Sequence, residues 1–110
     1  MTCSLAPSLT GREDFSAPAG AVVTVKLKPP SGVGARMLHL RYGKDAIDDT
    51  PPLQFTVAKG RKILVVLLEA SKPGALVELI EVCGRGREQT VDRFHFDPKN
   101  PARGYIVLGV

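Results

Sequence analysis

The sequence predicts an all-β fold, an antiparallel β-sandwich of about seven strands with Greek-key or jelly-roll-like connections, and three observations carry that prediction. Seven runs of five to nine residues are bounded by Pro, Gly or Asp clusters and joined by short links. Most of the runs alternate apolar and polar residues with a period of two, the spacing of a strand covered on one face. No alternation of strands with helical patterns is present to build a parallel sheet.

Residues 74–97, GALVELIEVCGRGREQTVDRFHFD, are the strongest single signal. Two runs rich in β-formers flank a Gly-Arg-Gly-Arg turn, in which Gly84 and Gly86 accept a positive φ without steric cost. On the returning strand Phe94 and Phe96 alternate with Arg93 and His95, which makes one face apolar and the other basic. Residues 75–83 also fit a capped amphipathic helix, through Leu76, Leu79, Ile80 and Cys83 at three-and-four spacing. Strand is the preferred reading, because Gly74 would sit in the helix's first turn and Val77 and Val82 would be left on its outer face.

In chain order, residues 1–20 are rich in Ser, Pro, Ala, Thr and Gly and read as a flexible N-terminal arm before a single domain over residues 21–110. Residues 21–28 form a strand with Val23, Val25 and Leu27 on one face, stopped by Pro29 and Pro30. Residues 35–42 resume the alternation, with Leu38, Leu40 and Tyr42 opposed to Met37, His39 and Arg41. After the polar connection 43–52, residues 53–57 place Leu53, Phe55 and Val57 together. The run 61–69 is apolar on both faces, so a central strand covered on both sides is expected, with Val65 and Leu67 in the deepest core. The last strand is residues 104–110. It carries no charge from Ile106 onward, which favours a covered edge or self-association into a homo-oligomer through that edge.

At 110 residues the chain has the length of one domain and can bury a core without staples. Cys3 and Cys83, one in the arm and one at a turn, read as free thiols in a reducing compartment, and a cytoplasmic location follows. The longest apolar run, Ile63 to Leu68, is six residues, far short of a membrane span. No basic n-region with an apolar h-region opens the chain, so no secretory signal is expected.

The net charge of +4 is spread out, with six cationic and five anionic residues in 1–55 against nine and six in 56–110. That distribution, and the absence of Trp with only two Tyr, disfavour nucleic acid as partner. An enzyme is not expected: His39 and His95 fall at outward strand positions with no nucleophile motif beside them. Zinc lacks its usual ligands. Calcium is the one metal with candidate oxygen ligands, Asp45, Asp48 and Asp49, although aspartates in such a loop ordinarily shape turns. The outward cations and histidines His39, Arg41, Arg85, Arg87, Arg93 and His95 are the candidate ligand-binding residues, and they form one anion-attracting patch if their strands are neighbours.

The expected function is a non-catalytic β-sandwich binding module for a glycan or other polar small molecule, recognised through loops and requiring no cofactor. The alternatives are a protein-interaction or assembly subunit acting through a sheet edge and an oligonucleotide-binding barrel.

Overall fold

The computed structural model describes residues 14–47, 50, 52–83 and 86–110. These fold into two packed sheets with nine strands and no helix among them: β1 (Asp14–Ala17), β2 (Val22–Lys28), β3 (Ala35–Tyr42), β4 (Asp45–Ala46), β5 (Gln54–Thr56), β6 (Gly60–Ala70), β7 (Leu76–Val82), β8 (Glu88–His95) and β9 (Ala102–Gly109). One sheet has the order β1-β9-β6-β3-β4 and the other β5-β2-β7-β8. The pairing of β3 with β6 and of β2 with β7 is nested, the arrangement that Greek-key connections generate. All seven expected strands are present, and the two additional ones are the short β1 and β4. Residues 76–82 are strand, which settles the helix alternative.

The alternation explains why these residues form these elements. Val23 and Val25 of β2, Phe55 of β5, Val77 and Leu79 of β7 and Phe96 after β8 meet Leu40 and Tyr42 of β3, Leu64, Val66 and Leu68 of β6, and Tyr105 and Val107 of β9 in one core. Tyr42 and Phe55 stack across the two sheets with centroids 4.7 Å apart, and the Ala58 N–H donates to the Tyr42 hydroxyl at 3.2 Å. At the hairpin between β7 and β8 Gly86 takes a φ of 73°, and the Cys83 N–H donates to the Arg87 carbonyl at 2.8 Å.

Four expectations are corrected. First, β6 is central in its sheet but covered on one face only: Leu64, Val66 and Leu68 are buried, whereas Val65 and Leu67 are half-buried on the outer face and Ile63 is exposed. An uninterrupted apolar run hides which parity faces the core. Second, a β-bulge between Met37 and His39 turns Met37 toward the core and leaves Leu38 exposed, the reverse of simple alternation. Third, part of the 1–20 arm is structural. β1 pairs parallel with residues 106–109 of β9, and Ala17 is buried between Val110, whose N–H donates to its carbonyl at 2.9 Å, and the core. The C-terminal strand is therefore paired with β6 on one side and β1 on the other, so its apolar character needs no second copy. Residues 1–13 lie outside the described residues. Fourth, Cys83 is disulfide-bonded, so the free-thiol reading fails there, and Cys3 lies outside the described residues.

Among the described residues no helix is long and apolar enough to cross a membrane.

Candidate functional site

The turn from β8 to β9 carries the chain from one sheet to the other at the sandwich's open flank. Asp97 shapes it: its Oδ1 accepts the Lys99 N–H at 3.0 Å, its carbonyl accepts the Asn100 N–H at 2.9 Å, and Pro101 then hands its carbonyl to the Leu68 N–H at 2.9 Å. Phe96 is anchored to the start of β7 through bonds to Ala75 and from Gly74. The result is a niche of about 320 Å³, floored by Val66, Leu68 and Phe96 and rimmed by His95, Asp97, Asn100 and Arg103.

Arg103 is the central side chain. It shares the inward parity of Tyr105 and Val107 on β9, yet carries a charge where they are apolar. Its guanidinium lies 4.4 Å from the Phe94 centroid and 5.3 Å from that of Tyr105, and the two rings are 6.2 Å apart. A planar, weakly hydrated cation is suited to such stacking, and the Nε is buried without a hydrogen-bond partner.

Behind this stack the core contains a second charge. Asp92 is fully buried, and its carboxylate is in hydrogen-bonding and electrostatic contact with the Tyr105 hydroxyl. Tyr105 is in electrostatic contact with both Asp92 and Arg103; burial first and the Asp92 charge second push its hydroxyl well above the usual phenol range, with Arg103 acting in the opposite sense. Asp92 shares the inward parity of Phe94 and Phe96, and a bulge in the β7–β8 pairing leaves Val91 without a direct partner and buries it beside Asp92.

The residues singled out in the sequence are scattered over this frame. β3 and β8 belong to different sheets, so His39 and Arg41 do not join Arg93 and His95 in one patch. His39 and Arg41 stand beside Leu67 and Val65 on the outer face of the five-stranded sheet. Arg93 lies opposite Glu78 on the outer face of the other sheet and helps to hold that carboxyl below its usual range, after the larger effect of the Lys28 hydrogen bond. Arg87 is exposed near the hairpin tip, and Arg85 lies outside the described residues. Among the described candidates His95 alone lines the niche, with Nδ1 3.5 Å from the Gly74 carbonyl. Asp45 is exposed in β4, Asp48 and Asp49 lie outside the described residues, and among the described residues no three metal-ligating side chains cluster.

Sequence reasoning missed Asp92 and Arg103. The signal was available for both: counting back by two from Phe94 puts Asp92 inside, and counting back from Tyr105 does the same for Arg103. Comparison with known proteins finds no matching family model, no matching curated protein and no matching solved structure.

Proposed function

We propose that this chain is a non-catalytic binding module that takes a small hydroxyl-rich ligand, a glycan unit being the class that fits, in the niche between β8 and β9. The observation that carries the reading is the Arg103 guanidinium, stacked and fixed at the wall of a concave site whose rim also offers an amide, a carboxylate and an imidazole. The volume of about 320 Å³ is at the small end for ligand sites, which points to a single ring rather than an extended chain. Because Arg103 already occupies the Phe94 face, recognition proceeds by hydrogen bonds from Arg103 and Asn100 rather than by stacking a sugar on an aromatic plane. The only described polar contact of His95 is with a backbone carbonyl, which supports binding rather than nucleophilic chemistry. The disulfide at Cys83 argues for an oxidising compartment in place of the cytoplasm.

The test is a screen of immobilised mono- and oligosaccharides with the parent chain and with Asn100→Ala and Arg103→Lys. Retention of one glycan class by the parent and at least tenfold weaker retention by both variants is the expected result. Equal retention by all three chains overturns the niche as the site.

A further inference from the structure

The outer face of the five-stranded sheet is apolar where a sheet covered on one side ordinarily shows polar residues to solvent. Ile63 of β6 lies opposite Ile106 of β9, Arg61 opposite Leu108, and Val65 opposite Gly104. Ile63 is 55% exposed and Leu108 44%, and Val65, Leu67 and Ile106 are half-buried beside them. A Cβ built on Gly104 would meet nothing closer than 4.0 Å, so the surface is open above it and leaves a shallow hollow against Val65. The result is an exposed apolar stripe, two strands wide, along β6 and β9.

Cations border the stripe. On β3, Arg41 lies opposite Val65 and His39 opposite Leu67, and Arg61 stands at the stripe's other end; all three are exposed. The described ion pairs engage Lys26, Lys28 and Arg36, and among the described residues no carboxylate engages Arg41 or Arg61. The acidic residue of β6, Glu69, is taken by Arg36 at 2.6 Å. The backbone beneath the stripe is already committed, because β6 runs between β3 and β9, and β9 between β6 and β1. A partner must therefore satisfy its own backbone groups and bind through side chains.

We propose that this face docks an amphipathic helix of a partner protein, with its apolar stripe on Ile63, Val65, Ile106 and Leu108 and acidic residues along its margins against Arg41 and Arg61. A helix satisfies its own backbone, and its diameter of about 10 Å matches two strands spaced about 4.8 Å apart. Cations without carboxylates beside them set the charge of the partner. A second copy would bring the same cations to the contact, which disfavours self-pairing of this face. The arginine side chains are longer than the half-buried aliphatic ones and stand higher above the sheet, the reverse of the depth order at a bilayer surface, where apolar groups sink below the headgroups. The proposal does not rest on ligand binding in the β8–β9 niche, and either can hold without the other.

The experiment pans a yeast-displayed library of helical peptides, built on a leucine stripe with randomised flanking positions, against the full chain and titrates the enriched peptides, as synthetic products, into ¹⁵N-labelled chain. Enriched flanks should be acidic, and the peptides should shift the Ile63, Val65 and Ile106 amides. Their affinity should fall at least tenfold with Ile63→Asn and with Arg41→Glu, or with Arg61→Glu where the latter does not fold, and should be unchanged by Arg103→Lys. No enrichment, enrichment of basic or neutral flanks, shifts confined to other surfaces, or affinity insensitive to these substitutions would each overturn the proposal. Concentration-dependent shifts of the same amides without peptide would identify a second copy as the occupant, and co-sedimentation with phosphatidylglycerol vesicles that Ile63→Asn abolishes would identify a bilayer; either would overturn it as well.

Discussion

Arg103 reaches from β9 in one sheet to Phe94 on β8 in the other, with 4.4 Å between the guanidinium carbon and the ring centroid. The contact joins the open flank of the sandwich by a charge on an aromatic plane, where an aliphatic pair would have served packing equally well. Arg103→Lys keeps the charge and loses the planar fork, so stability should fall by no more than about 1–2 kcal/mol in denaturant titration while glycan retention drops at least tenfold. A larger stability loss would make Arg103 a structural residue first.

Gly109 marks the tightest approach in the fold. A Cβ built there would lie 1.9 Å from the Ala58 carbonyl oxygen, a backbone atom that cannot yield without moving the β5–β6 turn. Gly109→Ala should therefore cost about 3 kcal/mol or more in thermal or denaturant unfolding. Gly104→Ala, whose Cβ would find nothing closer than 4.0 Å, is the matched control and should change stability by less than about 1 kcal/mol.

The parity of β6 is testable residue by residue. Leu68→Ala removes a buried side chain and should destabilise by about 2–5 kcal/mol. Ile63→Ala acts on a side chain that is 55% exposed and should cost less than about 1 kcal/mol. Equal costs would mean that both faces of the strand are covered.

Glu78 ties acid stability to one ion pair. Its carboxyl is lowered from the ordinary 4.5 chiefly by the Lys28 hydrogen bond, against the opposing effect of burial, with the Lys28 and Arg93 charges and a Thr90 hydrogen bond adding to the lowering. A group whose folded pKa lies below its unfolded one contributes stability that is present above the unfolded value and is lost as pH falls through the folded value. Unfolding free energy measured from pH 6 downward should therefore decline below about pH 4.5 more steeply in the parent than in Glu78→Gln. Parallel pH profiles would show that the pair does not set the acid limb.

The sandwich was legible because its strands are read from alternation, and at β2, β5 and the second half of β8 nothing interrupts it: Val23 and Val25, Phe55, and Phe94 with Phe96 all face inward as their spacing requires. Two bulges defeat that counting. One extra residue at Leu38 exchanges the faces of β3 before and after it, and the extra residue Val91 is buried beside inward Asp92, so the first half of β8 loses the parity of the second. In β6 the six consecutive apolar residues contain no parity information at all. The niche was only half legible: parity puts Asp92 and Arg103 on the inner faces, but β8 and β9 are joined through a cross-sheet turn, and which inward residue of one sheet meets which of the other depends on how the sheets pack. Outward histidines and arginines drew attention instead, although sheet order separates His39 and Arg41 from Arg93 and His95.

The central claim is that the niche between β8 and β9 is a ligand site, and its most direct measurement is a ¹H–¹⁵N titration of the labelled chain with a panel of mono- and disaccharides. The account predicts that at least one sugar shifts a contiguous set of amides from Phe94 to Gly104, together with the Arg103 side-chain Nε–H, and leaves β3 and β5 unchanged. Saturating sugar that moves none of these resonances, or moves only those of another surface, would contradict it.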